Sequence, residues 1–150
     1  MKGLIQRVSN ASVTVDDVVV GEVGRGMLLL LAIQKNDDEA ALEKLLDKVL
    51  AYRIFPDAVG HMNLSLTDIK GELLIVSQFT LAADTKKGLR PSFSTSAPPE
   101  FAETLYDKFV LRAEMKCAEH QCSKVQTGIF GADMKVQLLN DGPVTFLLET

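Results

Sequence analysis

Apolar and polar side chains alternate along the first part of the chain in the way that β-strands require. Residues 3–9 follow a period of two, which is typical of a strand with one buried face. β-Branched runs at residues 12–15 and 18–23 stand on either side of Asp16-Asp17, and this arrangement predicts a hairpin. Residues 27–33 are apolar without alternation, so we expect a strand that is covered on both faces.

Two later segments have the apolar spacing of helices. Across residues 38–52, apolar side chains recur at i, i+3, i+4, i+7 and i+8, behind an acidic cluster at residues 36–39 that suits a helix N-terminus. Pro98-Pro99 begins a second helix, because proline is favoured in the first turn. That helix carries a basic stripe formed by Lys108, Arg112 and Lys116.

The remaining segments complete the predicted architecture. Residues 56–70 are rich in turn-forming residues and are predicted to be mostly loop. Residues 84–98 are predicted to be a long loop, which in a compact domain is usually functional or mobile. Further strands are predicted at residues 72–79, 125–130, 134–139 and 144–148. Together these elements predict one α+β domain over residues 1–150, with mostly antiparallel strands and two principal helices.

The composition of the chain is that of a globular protein with a core of its own. Its 150 residues are 47% hydrophobic and 24% charged, which argues against a disordered, collagen-like or disulfide-stapled chain. The longest apolar run, residues 27–33, is far shorter than the ~20 residues that span a bilayer. Residues 1–7 become polar too soon for a signal peptide. We therefore expect a cytoplasmic protein without a membrane partner.

The net charge of −4 and the pI near 5.2 argue at first against nucleic-acid binding, because proteins that bind nucleic acid usually have a basic surface. Binding, however, responds to the local potential, which is screened over ~8 Å at physiological salt. Basic side chains cluster on the second helix and in the loop at residues 84–98, the latter being Lys86, Lys87 and Arg90. The charge therefore limits contact with RNA but does not exclude it.

Familiar catalytic and metal-binding patterns are missing from the chain. Cys117 and Cys122 have one nearby histidine, which is too few ligands for zinc, so two free thiols and no metal or cofactor are expected. The glycines of residues 21–26 precede a strand, where they favour a turn over a phosphate cradle. His61 and His120 lie in loop or helix-end contexts that favour surface positions. Any catalysis should therefore use something other than a histidine base.

Two hexapeptides stand out as candidate functional segments. Residues 77–82 (Ser-Gln-Phe-Thr-Leu-Ala) place three polar side chains at the end of a buried strand, where sites are common, although such groups can also satisfy the strand-end backbone. Residues 140–145 (Asn-Asp-Gly-Pro-Val-Thr) consist largely of turn formers, so their spacing alone predicts a hairpin turn.

Together the two hexapeptides resemble the signature motifs of the D-aminoacyl-tRNA deacylases. Further similarity covers essentially the whole chain, at residues 4–8, 11–15, 52–55, 62–64, 90–93 and 126–128. The resemblance implies a small β-barrel-like fold with two helices and a cytosolic homodimer. It also implies an enzyme that hydrolyses the ester between a D-amino acid, or glycine, and the 3′-terminal adenosine of tRNA. L-Aminoacyl-tRNA would be left intact.

The resemblance also assigns roles to individual residues. It implies that the site lies at the dimer interface, where Gly142 and Pro143, joined by a cis bond, reach into the partner's pocket and exclude the side chain of an L-amino acid. Supporting residues of that motif are Arg7, Asn140 and Thr145. On the substrate side, the implied contacts are Ser77, Gln78 and Ala102 near the 3′ end and Phe130 and Met134 beside the adenine. The clustering of Lys86, Lys87 and Arg90 beside the first hexapeptide separately predicts a small positive rim that faces the tRNA.

Two catalytic mechanisms remain open at this point. Thr80 is one candidate nucleophile, but no adjacent base is visible in the sequence. Alternatively, the 2′-hydroxyl of the terminal ribose assists the reaction, while Gln78 and the backbone N–H groups around Phe79 and Thr80 position and stabilise the reacting carbonyl. The absence of a visible base favours the second mechanism.

Two rival functions use the same features. A small esterase or amidase that acts on free D-amino-acid derivatives would not need the basic loop. A non-catalytic RNA-binding dimer would need the basic residues but no stereochemical selectivity.

Overall fold

The computed structural model describes residues 1–86, 88–120, 122 and 124–150. Strands are the most abundant regular structure in the described chain, and two α-helices accompany them. The strands are β1 (Lys2–Val15), β2 (Val18–Val23), β3 (Gly26–Ala32), β4 (Phe55–Pro56), β5 (Met62–Leu64), β6 (Glu72–Ser77), β7 (Lys124–Thr127) and β8 (Lys135–Glu149). The helices are α1 (Glu39–Ala51), α2 (Pro99–Glu119) and a 3₁₀ helix at Phe79–Ala82.

The main sheet curls until it nearly closes. Its order is β2-β1-β3-β6-β7, and β8 also pairs with β1. The pairs that β1 makes are antiparallel, whereas β3-β6 and β6-β7 are parallel. At the seam between β2 and β7, a Cβ on Gly21 would lie 2.4 Å from the carbonyl oxygen of Thr127, and Lys124 Nζ donates a 2.9 Å hydrogen bond to the Glu22 carbonyl. The predicted barrel-like, mostly antiparallel sheet with two principal helices is confirmed.

The two faces of the sheet bury two separate apolar clusters. One consists of strand residues alone, including Val13, Leu28 and Leu74. The other lies between the sheet and the two α-helices and includes Leu29 and Phe109. Successive residues of β3 therefore enter different clusters, which confirms that this strand is covered on both faces and explains its unbroken apolar run.

Several predicted strand boundaries change in the structure. The β1–β2 hairpin is confirmed, with Asp16 and Asp17 at φ 49° and 62° in the left-handed conformation that a tight hairpin turn favours. The predicted strands at 134–139 and 144–148 form one strand, β8, because both halves pair with β1. The prediction of a hairpin turn within residues 140–145 is therefore wrong, since the chain does not reverse there.

The basic stripe of α2 is paired with acidic side chains of α1. Glu39, Glu43 and Asp47 form an acidic stripe on α1, and the salt bridges between the stripes have N···O distances of 2.5–2.7 Å. Hydrogen bonds from Arg112 and Lys116 lower the pKa of the Glu43 carboxyl below its usual range. Since its charge is neutralised within the chain, this stripe joins two helices and adds little positive potential for RNA, contrary to the sequence-based expectation.

Candidate active site

A cavity of about 280 Å³ opens at the carboxyl ends of β3 and β6. These strands are parallel neighbours in which Leu31 pairs with Ser77, so both chains leave the sheet at the same edge. The wall comprises residues from four segments: Leu31, Ile33, Ser77, Gln78, Phe79, Ser96, Ala97, Pro99, Ala102, Phe130 and Gly131. The structure thus brings together five residues that the resemblance assigned to the site, namely Ser77, Gln78, Phe79, Ala102 and Phe130.

The first three residues of the first hexapeptide line the cavity where β6 ends. The backbone N–H of Gln78 donates a 2.7 Å hydrogen bond to the Leu31 carbonyl, and the 3₁₀ helix begins at the next residue. The N–H groups of Phe79 and Thr80 begin this helix, so neither has an acceptor within it. Gln78 Nε2 donates a 2.6 Å hydrogen bond to Thr80 Oγ1. Thr80 itself is exposed and lies outside the cavity lining.

A second part of the wall is a loop segment tied by hydrogen bonds to the chain just after β3. Ala97 N–H donates to the Ile33 carbonyl at 3.1 Å, and Lys35 N–H donates to the Thr95 carbonyl at 3.2 Å. Between these anchors, Ser96 lines the cavity, and its buried Oγ has no hydrogen-bond partner among the described residues. Sequence reasoning missed Ser96, because a serine in a serine-rich loop gives no signal of its own.

Helix α2 supplies a rigid third wall. Ala102 is buried in its first turn, where its N–H donates a 2.9 Å hydrogen bond to the Pro98 carbonyl. One turn further on, the Tyr106 hydroxyl donates to the Ile75 carbonyl at 3.0 Å. Burial raises the pKa of Tyr106, so its phenol stays protonated as the donor. The Tyr106 ring lies 5.7 Å from that of Phe130, which holds Phe130 against the cavity.

The second hexapeptide protrudes from the sheet as a bulge. Gln6 pairs with Thr145 and Val8 with Asn140, so residues 141–144 stand opposite Arg7 alone. Gly142 and Pro143, joined by a cis peptide bond, are exposed and do not line the cavity of their own chain.

Polar side chains of β1 and of the hexapeptide itself hold this bulge in place. Arg7 Nε donates a 2.9 Å hydrogen bond to the Asp141 carbonyl, and Arg7 Nη1 donates to the Ile54 carbonyl at 2.6 Å. Asn140 Nδ2 donates to the carbonyls of Arg7 and Val144 at 2.9 and 3.2 Å, which closes the bulge on itself. Gln6 Nε2 donates to Thr145 Oγ1 at 3.1 Å. Arg7, Asn140 and Thr145, the residues expected to support the motif, therefore all form hydrogen bonds in or to the bulge. Gln6, which binds Thr145, and Ile54, which binds Arg7, also take part in this network.

The remaining predicted site residues lie elsewhere. Lys86 and Arg90 are exposed in the loop after the 3₁₀ helix, and Lys87 lies outside the described residues. Met134 packs against the all-strand cluster and close to Gly128, outside the cavity lining. Its role beside the adenine stays a prediction.

Other functional groups do not approach this cavity. His61 and His120 are exposed, and neither lines it. Cys117 and Cys122 are free thiols, as predicted. Within the described ranges, no cluster of three or more His, Cys, Asp or Glu side chains is placed to hold a metal ion. No helix in this part of the chain combines the length and apolar character that crossing a membrane requires.

Comparison with known proteins identifies relatives over the whole chain. A protein from Cellvibrio japonicus (strain Ueda107) named D-aminoacyl-tRNA deacylase is 62% identical over 149 residues, which cover 99% of each chain. A solved structure titled c-Myc DNA Unwinding Element Binding Protein superposes with a TM-score of 0.93 and 40% identity, covering 100% of this chain and 99% of that one. A probable eukaryotic D-amino acid tRNA deacylase superposes with a TM-score of 0.86 over 99% and 98% of the two chains; at 19% identity it supports the fold alone.

A protein-family model also matches nearly the whole chain. The model described as D-Tyr-tRNA(Tyr) deacylase matches residues 4–149, a span that includes both hexapeptides and every wall of the cavity. The match confirms the resemblance on which the site residues were assigned. The chain therefore belongs to the D-Tyr-tRNA(Tyr) deacylase family.

Proposed function

We propose that this chain, acting as one cytoplasmic domain, hydrolyses D-aminoacyl-tRNA and glycyl-tRNA in the cavity at the ends of β3 and β6. As a member of its family it is a hydrolase, a D-aminoacyl-tRNA deacylase that cleaves the aminoacyl-tRNA ester. The observation that carries the proposal is the meeting of Ser77, Gln78, Phe79, Ala102 and Phe130 around one cavity. The products are the free amino acid and tRNA.

Chiral selection follows from a rigid obstacle beside the α-carbon. Exchange of L for D swaps the directions of the hydrogen and the side chain, so a wall on one side excludes L and admits both D and glycine. In this proposal Gly142 and Pro143 of a second copy form the wall. Three features support it: the bulge is exposed, it does not reach its own cavity, and Arg7 and Asn140 hold it in place.

The proposal requires a homodimer, and β8 has a surface suited to one. Leu139 and Leu147 flank the bulge and are 57% and 52% exposed. Apolar side chains exposed beside a protruding backbone are typical of protein interfaces. A second copy seated on this strand would cover both leucines and bring its bulge to the neighbouring cavity.

Catalysis in this proposal is assisted by the substrate. The amide nitrogen of Gln78, which cannot act as a base, donates to Thr80 Oγ1, so this contact does not activate the hydroxyl as a nucleophile. The 2′-hydroxyl of the terminal ribose lies beside the ester, and the N–H groups at the start of the 3₁₀ helix are available to the developing oxyanion. Positioning contributes roughly 7–11 kcal/mol and one oxyanion donor roughly 2.7–4 kcal/mol, which suffices for a labile ester.

Removal of the Thr80 hydroxyl tests this mechanism. We expect Thr80→Ala and Thr80→Val to lower kcat for D-tyrosyl-tRNA by less than about tenfold, because the hydroxyl only orients Gln78. Thr80→Ser is the matched control, since it keeps a hydroxyl. A loss of three orders of magnitude in both Ala and Val variants, with the fold intact and activity retained in Thr80→Ser, would instead establish Thr80 as the nucleophile.

One comparison of substrates tests the function itself. We expect D-tyrosyl-tRNA to be hydrolysed at least about a hundredfold faster than L-tyrosyl-tRNA, with little hydrolysis of free D-tyrosine ethyl ester. Equal rates for the two enantiomers would contradict the proposal. Preference for the free ester would identify a small esterase, and RNA binding without hydrolysis would identify a non-catalytic RNA-binding protein.

A further inference from the structure

Two phenylalanine rings lie at the mouth of the cavity with much of their surface in solvent. Phe79, which lines the cavity, is 61% exposed, and Phe93 is 40% exposed. Their ring centroids are 5.1 Å apart with the planes at 53°. Exposed aromatic surface beside a cavity is typical of a binding site, since core packing would bury it.

The backbone holds both rings in place. Phe79 begins the 3₁₀ helix that follows β6. Phe93 follows a two-way backbone pairing of Asp84 and Ser92, with N···O distances of 2.8 and 3.0 Å, and its own carbonyl accepts a 3.0 Å hydrogen bond from Ser96 N–H. Both rings thus belong to backbone segments that are hydrogen-bonded to the cavity wall. These segments lose little conformational entropy when a ligand stacks on the rings.

The charge around the rings suits a nucleic-acid strand. Lys86 and Arg90 are exposed in the same loop, and neither forms a salt bridge with the described residues. The nearby Asp84 carboxylate accepts a 2.9 Å hydrogen bond from the Lys86 backbone. Unlike the basic stripe on α2, these two cations remain available to phosphate groups.

We propose that Phe93, together with the Phe79 ring, stacks the base of the penultimate nucleotide of the tRNA acceptor end. This inference rests on the proposed function, which seats the terminal adenosine in the cavity. The preceding nucleotide, a cytidine, must then lie at the cavity mouth, where the two rings and the basic loop meet. The flat face of the cytosine base stacks on the two phenylalanine rings, and the phosphate of this nucleotide contacts Lys86 and Arg90.

Equilibrium binding of short ligands without an amino acid tests the platform directly. The probes are cytidylyl-(3′→5′)-adenosine and the same dinucleotide with an abasic ribose in place of the cytidine, which carries the same phosphate. We expect the intact dinucleotide to bind the wild-type chain about tenfold more tightly than the abasic one. Phe93→Leu should remove this difference, and Phe93→Tyr should keep it.

Phe101→Leu is the control, because Phe101 is 42% exposed but does not line the cavity, and it should keep the wild-type ratio. Equal binding of the two dinucleotides to the wild-type chain would overturn the inference, as would an unchanged ratio in Phe93→Leu. Equal weakening of both dinucleotides by Phe93→Leu would also overturn it, since the ring would then only shape the cavity. Failure of the proposed function is a separate result, the absence of D-selective hydrolysis.

Discussion

Ala102→Phe is expected to lower kcat/KM for D-tyrosyl-tRNA by about a thousandfold or more, which corresponds to about 4 kcal/mol of lost transition-state binding. Ala102 is buried in the first turn of α2 and lines the cavity. A benzyl group there would enter a space of about 280 Å³, which the proposed function assigns to the end of the substrate. Two other parts of the wall are held by backbone hydrogen bonds, from Gln78 to Leu31 and from Ala97 to Ile33, which resist the displacement that would make room for the ring.

Glu103→Phe is the matched control, since it adds the same ring to the next residue of the helix, on the exposed side. Single-turnover hydrolysis, together with circular dichroism of both variants, separates a blocked cavity from a damaged fold. Activity in folded Ala102→Phe within tenfold of wild type would show that the substrate does not use this cavity. Equal loss in Glu103→Phe would show that the effect is not specific to the cavity.

Gly26→Ala is expected to lower the free energy of unfolding by about 3 kcal/mol or more. Gly26 pairs with Glu72 where β3 and β6 begin to run in parallel. A Cβ at this position would lie 1.9 Å from the Glu72 carbonyl oxygen and 2.7 Å from that residue's backbone carbon and nitrogen. Backbone atoms in the middle of a sheet have no rotamer to change, so the strands must separate to admit the methyl group.

Gly24→Ala, two residues earlier, provides the comparison. A Cβ there would lie 3.8 Å from Glu72 Oε2, an ordinary contact, and the Gly24 N–H that donates to this oxygen is retained. We expect a change of less than about 1 kcal/mol for this variant. Urea unfolding of the two variants and the wild type, all at the same protein concentration, measures the difference in their free energies of unfolding. Equal stability of the two variants would contradict the close approach of β3 and β6.

Local patterns were sufficient to predict the helices and most of the strands. The apolar positions of α1, the Asp16-Asp17 turn and the unbroken apolar run of β3 each depend on neighbours within a few residues, so their signals lie in a short window. The strand boundaries were less certain. The two predicted strands at residues 134–139 and 144–148 are one, because pairing with β1 overrides the turn preference of Asn140, Asp141, Gly142 and Pro143.

In the candidate site, too, short-range patterns predict some features, whereas others depend on contacts between distant residues. Residue types at 77–82 left a functional and a structural interpretation equally open, and only the resemblance favoured the first. The hydrogen bond from Arg7 to the Asp141 carbonyl joins residues 134 positions apart, and the Lys108–Glu39 pair joins residues 69 apart. No periodicity links such positions. The basic stripe on α2 shows the consequence, since its residues were correctly identified as a patch of charge but their acidic partners were not.

The sequence contains enough local information to predict most of the strands and helices, and two hexapeptides indicate the family to which the chain belongs. The tertiary structure adds that β3 and β6 end side by side beneath a cavity, that Ser96 lines this cavity while Phe93 packs on the Phe79 ring, and that residues 141–144 project from a continuous strand. The physical reason is that periodicity reports which face of an element is buried. It does not report which other element covers that face, because that choice depends on contacts between residues far apart in the chain.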